Sequence, residues 1–126
     1  MNIVKIVIQV LLGLAFMLFG FMKLSTPYET MIATEGMMWA SDFSPTLIKI
    51  IGGLELAGGI GTILPLLLKR MYVLVPLAAL GFIGLMLGAA VTHFNRGENE
   101  AIATNVILIV LSLLVFSWRK HQLRFS

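Results

Sequence analysis

Apolar residues run almost unbroken through four stretches of the chain, and the polar residues collect between them. Ile3 to Met22 is interrupted only by Lys5 and Gln9, while Leu47 to Leu68 carries Lys49 in its first turn and Glu55 well inside. Met71 to Val91 holds no charge, and Ala101 to Trp118 has only Asn105 and small hydroxyl residues as polar interruptions. A helix that crosses a bilayer takes about 20 residues. Four such helices fit in 126 residues with short connections, whereas five would leave almost no loops. No Ala-x-Ala-like cleavage site follows the first stretch, which is therefore expected to stay as a span. The pattern predicts an all-α, integral-membrane four-helix bundle. It forms one four-span domain over residues 1–126, with spans at about 3–22, 47–68, 71–91 and 101–118.

Composition narrows the class further. The chain is 59% apolar and 12% charged, against roughly half and about a quarter in an ordinary soluble domain. Together with a mean hydropathy of +0.99, this excludes a solvated globular surface, disorder and a coiled coil. With no cysteine, a disulfide, a thiolate metal site, an iron–sulfur cluster and a CxxC redox pair are all excluded.

The net charge of +3 and the pI near 9.6 report topology and not nucleic-acid binding, because the cations sit at helix ends. Lys5, Lys69, Arg70, Arg119, Lys120 and Arg124 fall on one side of the bilayer. Lys23, Lys49 and Arg96 fall on the other, with Glu29, Glu35, Asp42, Glu98 and Glu100. By the positive-inside rule both termini are expected in the cytoplasm. The long first loop, Leu24 to Thr46, is expected to hold a short amphipathic outer helix. Thr26 would be its N-cap, Pro27 its first residue, Glu29 the closing member of a capping box and Gly36 its stop. Tyr28, Met31 and Ile32 share a face, and with Met37, Met38 and Trp39 they could roof the bundle.

Glu55 carries the strongest chemical signal. At 1.5 Å per residue it lies about 12 Å below the outer boundary, and an ionisable residue there faces the bundle and requires a cation or a proton. On the first span Gln9, Gly13, Phe16, Gly20 and Lys23 fall on one face, with Lys23 at its outer end, where it either bends toward Glu55 or reaches out to water. Gly53, Ala57 and Gly61 form a small-xxx-small stripe beside Glu55, suited to tight helix packing. Gly59 nearby leaves room for a ligand against bare backbone. The third span repeats the theme with Gly81, Gly84 and Gly88, followed by Thr92 and His93, and Asn105 and Ser112 mark one face of the fourth. Lys23, Glu55, Thr92, His93 and Asn105 come from four different spans yet share the outer half of the membrane. One outward-opening polar pocket is the economical expectation. His93 would pass protons to Glu55, although a histidine at a helix end also reads as an interfacial residue. No metal site is expected. A bis-histidine haem is disfavoured because His121 sits on the opposite side, about 30 Å away. Glu98 and Glu100 read mainly as complements to a helix dipole.

The segments Gly20-Phe21-Met22-Lys23-Leu24, Gly52-Gly53-Leu54-Glu55-Leu56-Ala57-Gly58-Gly59 and His93 through Gly97-Glu98 together resemble DoxX-like membrane proteins. The resemblance implies a small four-helix protein of the bacterial inner membrane, associated in some members with quinone-linked oxidation systems. On that basis the expected function is an accessory of a membrane redox system that binds a quinone or other small amphiphile. Glu55, Lys23 and His93 would be the catalytic set, and Glu55, Asn105, Thr92 and Gly59 the ligand contacts. Subunits of a membrane redox complex, or a second copy of the chain, would be its partners besides the lipid bilayer. The alternative is a non-catalytic assembly factor or scaffold. A transporter is less favoured because the inner half offers only Gln9 and Ser112.

Overall fold

The computed structural model describes residues 2–123, so Arg124, counted above with the cytoplasmic cations, lies outside the described residues. Its helices are α1 (Ile3–Ser25), α2 (Tyr28–Ala33), α3 (Pro45–Leu68), α4 (Leu74–Arg96) and α5 (Asn99–Arg119), with 3-10 turns at Met38–Asp42 and Lys120–Leu123. The four longer helices are long and apolar enough to cross a membrane.

Local chemistry fixes the helix ends. The Asn2 side chain accepts the Lys5 N–H at the start of α1. Ser44 does the same for Leu47 and is followed by Pro45, so α3 begins two residues before the expected Leu47. The third span starts at Leu74 and not Met71, because Lys69 (φ 56°) and Met71 (φ 64°) adopt left-handed backbone that a right-handed helix cannot include. It then runs past Val91 to Arg96, ending only where Gly97 turns at φ 73°.

The capping box expected for the short helix does not form. The Thr26 N–H is bonded to Met22 O, closing α1, and Pro27 takes the N-cap of α2 with no side-chain cap. Two residues between helices are too few for Thr26 to serve both. Helix α2 stops at Ala33, and Gly36 (φ 87°) turns the chain beyond it.

The bundle is built from two antiparallel pairs, α1 on α3 and α4 on α5, with a less extensive seam between α3 and α4. Backbone proximity explains the first pair. A Cβ at Gly20 would lie 2.5 Å from Gly52 O, and one at Gly59 would lie 2.6 Å from Gly13 O. The packing stripe on α3 is thus Gly52 and Gly59, in line with Glu55 and Thr62, and not Gly53, Ala57 and Gly61. A Cβ at Gly53 would meet nothing within 4 Å, and Ala57 is exposed. The carboxylate decides the register, because the face that carries Glu55 is the one that has to turn inward.

Phe16 stacks on Phe82 at 3.8 Å between centroids and joins the two pairs at mid-bundle. Gln9, Glu55, Thr62, His93, Asn105, Ser112 and Arg119 are buried, while leucines and phenylalanines such as Leu11, Leu18, Phe21, Leu54, Leu87 and Phe94 face outward. Polar inside and apolar outside is the order expected when the solvent is hydrocarbon.

The start of α1 and the end of α5 meet at one end of the bundle, where Lys5 Nζ stands 5.4 Å over the Trp118 ring. The other end is roofed by the connection between α1 and α3. Met31, Ala40 and Ile48 are buried there, with Tyr28, Ile32, Met37, Trp39 and Phe43 packed around them. Tyr28 Oη donates to Phe43 O at 2.8 Å, and Arg96 Nη1 reaches Asp42 Oδ1 at 3.2 Å, fastening the roof to the end of α4.

Candidate functional site

Below the roof is a cavity of about 430 Å³ whose wall includes Lys23 from α1, Glu55 from α3, Thr92 and His93 from α4, and Asn105 from α5. All five polar residues singled out in the sequence therefore line one space. Trp39 and Phe43 of the roof help to close it.

Lys23 Nζ lies 2.8 Å from Glu55 Oε1, and the Glu55 side chain is only 1% exposed. The sequence left open whether Lys23 bends inward or turns to water; it bends inward. Its cation also stands 5.4 Å from the Trp39 ring centroid and 5.8 Å from that of Phe19, two faces that favour positive charge. Pairing answers the cost of holding an acid at this depth. The small residues of α3 permit it, since Gly52 packs directly against the Lys23 Cβ.

His93 pairs with Glu98 and not with Glu55: its Nδ1 donates to Glu98 Oε1 at 2.8 Å, and its ring meets Trp39 edge to face at 6.2 Å. Arg96 Nε adds a second contact to Glu98 at 3.3 Å. The hydrogen bond from His93, followed by the contacts with Arg96, holds the Glu98 carboxyl below its ordinary range. Glu98 is thus the residue that orients His93, a role beyond the helix-dipole part read from sequence. The Gly97 turn is what brings a residue five positions on back against the imidazole.

Asn105 is 7% exposed; its Nδ2 points to Met86 Sδ at 3.4 Å and its Oδ1 has no partner. Glu55 Oε1 and Arg96 Nε also lack a hydrogen-bond partner, but each faces an ion partner. Among the described residues Asn105 Oδ1 is the one buried side-chain polar atom with neither hydrogen bond nor ion pair. Thr92 Oγ1 donates to Gly88 O at 3.1 Å and keeps its lone pairs available. Gly59 is not part of the cavity wall. A Cβ there would lie 2.5 Å from Met17 Cγ, so this glycine serves the contact of α3 with α1 and not a ligand.

A second polar cluster went unread. Arg119 was counted only as a surface cation, yet it is 8% exposed, its Nε donates to Gln9 Oε1 at 3.0 Å, and its guanidinium stands 4.9 Å over Tyr72. Gln9 Nε2 in turn donates to Thr62 O at 2.9 Å. The signal was present, because Asn105, Ser112 and Arg119 recur every seven residues and so share one helix face. Among the described residues no group of three or more histidines and carboxylates stands close enough to hold a metal ion.

A four-helix, multi-pass membrane bundle with a roofed, mainly apolar cavity into which a few polar side chains project is the class these features define. The chain matches the DoxX-like family over residues 7–115, a stretch that contains Lys23, Glu55, Thr92, His93 and Asn105, and it belongs to that family. No curated protein and no solved structure matches it.

Proposed function

We propose that this is a bacterial inner-membrane protein with both termini in the cytoplasm, whose outward-facing cavity binds a quinone or another small amphiphile as an accessory of a membrane redox system. The observation that carries the reading is the Lys23–Glu55 pair at 2.8 Å, set in the wall of a cavity shared with Thr92, His93 and Asn105. An intramembrane ion pair beside an open volume is better suited to a ligand or a proton than to packing alone. The sorting of cations supports the orientation: Lys5, Lys69, Arg70, Arg119 and Lys120 cluster at the end where the termini meet, while the carboxylates gather at the roofed end and inside.

A bound quinone would supply two-electron, two-proton redox chemistry. The residues of this chain handle its head group. Asn105 offers a hydrogen bond, Glu55 holds or releases a proton, and Lys23 sets the charge state of that carboxyl. His93, oriented by Glu98, links the cavity to the aqueous layer at the roof. Purified protein is expected to unfold at higher temperature in the presence of a quinone series, and Glu55→Gln to abolish the shift. No shift across the series would overturn the proposal.

A second reading rests on the glycines of α4, which face open space. They would seat a helix of a partner protein and make this chain an assembly factor. That reading expects a co-purifying membrane protein lost on Gly88→Leu, with Glu55→Gln tolerated.

A further inference from the structure

Glycine inside a helix is less favourable than alanine and needs a reason. On α1 and α3 the reason is backbone contact, as at Gly20 and Gly52. On α4 that reason fails, because a Cβ at Gly81, Gly84 or Gly88 would meet nothing within 4 Å. None of the three has positive φ either. The protein keeps this face bare without using the space itself.

Two observations say what the space is for. Gly84 and Gly88 border the cavity that holds the Lys23–Glu55 pair, and Gly84 also borders an apolar groove along the α3–α4 seam whose walls include Leu54, Ala57, Leu77 and Gly81. Cavity and groove therefore adjoin at Gly84 and Leu85, which line both. In the cavity wall, the buried Asn105 Oδ1 lacks a donor, a deficiency that costs free energy unless a ligand removes it.

Extending the amphiphile reading above, on which this rests, we propose that the site takes a single-chain lipidic alcohol or phenol. Its hydroxyl donates to Asn105 Oδ1, and its tail passes Gly84 into the α3–α4 groove. The ligand enters sideways from the bilayer. The roof, fastened through Arg96 and Asp42, covers the cavity end, and the bare edge of α4 gives a tail passage without moving a helix. Of a quinone couple, the reduced, hydroxyl-bearing member meets the need of Asn105. A partner helix fits less well, because it brings no donor head and its path along the seam ends beneath the roof.

The test uses detergent-purified full-length protein and three probes: para-cresol, para-dodecylphenol and the methyl ether of para-dodecylphenol, with affinity read from thermal unfolding shifts. Compared at equal concentration in the micelle phase, dodecylphenol is expected to bind at least about tenfold more tightly than cresol through packing of its chain in the groove, and about tenfold more tightly than its ether through the hydrogen bond. Gly81→Leu, which fills the groove without touching the cavity, removes the chain preference and leaves cresol binding unchanged. Asn105→Leu removes the preference for phenol over ether and leaves the chain preference. Equal binding of phenol and ether to the wild type, or a chain preference that survives Gly81→Leu, overturns the inference. If cresol binds in a Glu55-dependent way without any chain preference, the cavity reading stands and this inference falls. If no amphiphile binds the wild type, both fall. Release of a co-purified membrane protein by Gly81→Leu, with no change in probe binding, replaces the lipid with a partner helix.

Discussion

The bundle holds polar groups at both ends, and it treats them in opposite ways. At the end where the termini meet, Gln9 spends both halves of its amide, one on Thr62 O and one on Arg119, and Arg119 lies against Tyr72. Thr62 Oγ1 and Ser112 Oγ return to carbonyls of their own helices. At the roofed end Lys23 and Glu55 pair, but they do so beside an open cavity, and Asn105 Oδ1 is left without a partner. A satisfied polar network fixes helix register. An incomplete one in a cavity, built from the same kinds of residue, is suited to binding. Inside a membrane, therefore, the count of unmet partners separates a structural cluster from a candidate site better than the presence of charge does.

The comparison can be broken most forcefully at the ion pair. Glu55→Ala should leave Lys23 without its counter-charge and destabilise the protein by about 3 kcal/mol, whereas Lys23→Met combined with Glu55→Leu should recover most of the loss. Chemical or thermal unfolding in detergent reads both; equal instability of the single and double variants would show that packing and not pairing dominates there. Gln9→Leu comes next. It strips a partner from Arg119 Nε and from Thr62 O, and about 2 kcal/mol should be lost, while Asn105→Leu, which removes an atom already unsatisfied, should cost less in the same assay. If Asn105→Leu proves the more damaging, the contrast between the two ends fails.

The glycines sharpen the picture on a smaller scale. Gly20→Ala drives a Cβ against Gly52 O and should cost about 1 to 3 kcal/mol, whereas Gly81→Ala meets open space and should raise stability by up to about 1 kcal/mol through helix propensity. The smallest effect concerns pH. The folded-state pKa of Glu98 lies below its unfolded value, so the Glu98 contacts contribute fully above the ordinary value of 4.5 and are lost as pH falls through the folded value beneath it. Trp39, edge-on to His93, reports the loss as a change in fluorescence in a Trp118→Phe background, and Glu98→Gln should remove that acid transition while leaving the neutral-pH signal nearly intact.

Much of this was legible in the chain. Four apolar runs gave four helices, and the depth of Glu55 with the position of Lys23 pointed to one site, because a charge in hydrocarbon admits few solutions. Helix edges were less visible. The left-handed backbone at Lys69 and Met71 leaves no mark in hydropathy, and Thr26 looked like a cap until its N–H was claimed by the preceding helix. The active glycine face of α3 was misread for a physical reason: Gly52, Gly53, Gly58, Gly59 and Gly61 lie all around that helix, so composition alone does not choose among them. Arg119 was missed because a cation at a helix end ordinarily reaches for water. The empty acceptor on Asn105 is a property of three-dimensional neighbours, and nothing local in sequence announces it.

The turn at 69–73 joins the two helix pairs at the end where the termini meet, and the contact of Arg119 with Gln9 binds the same end again. With its hinge there, any relative tilt of the pairs displaces the opposite end most, like the covers of a book held at the spine. The link between Asp42 and Arg96 is the clasp on the free edge.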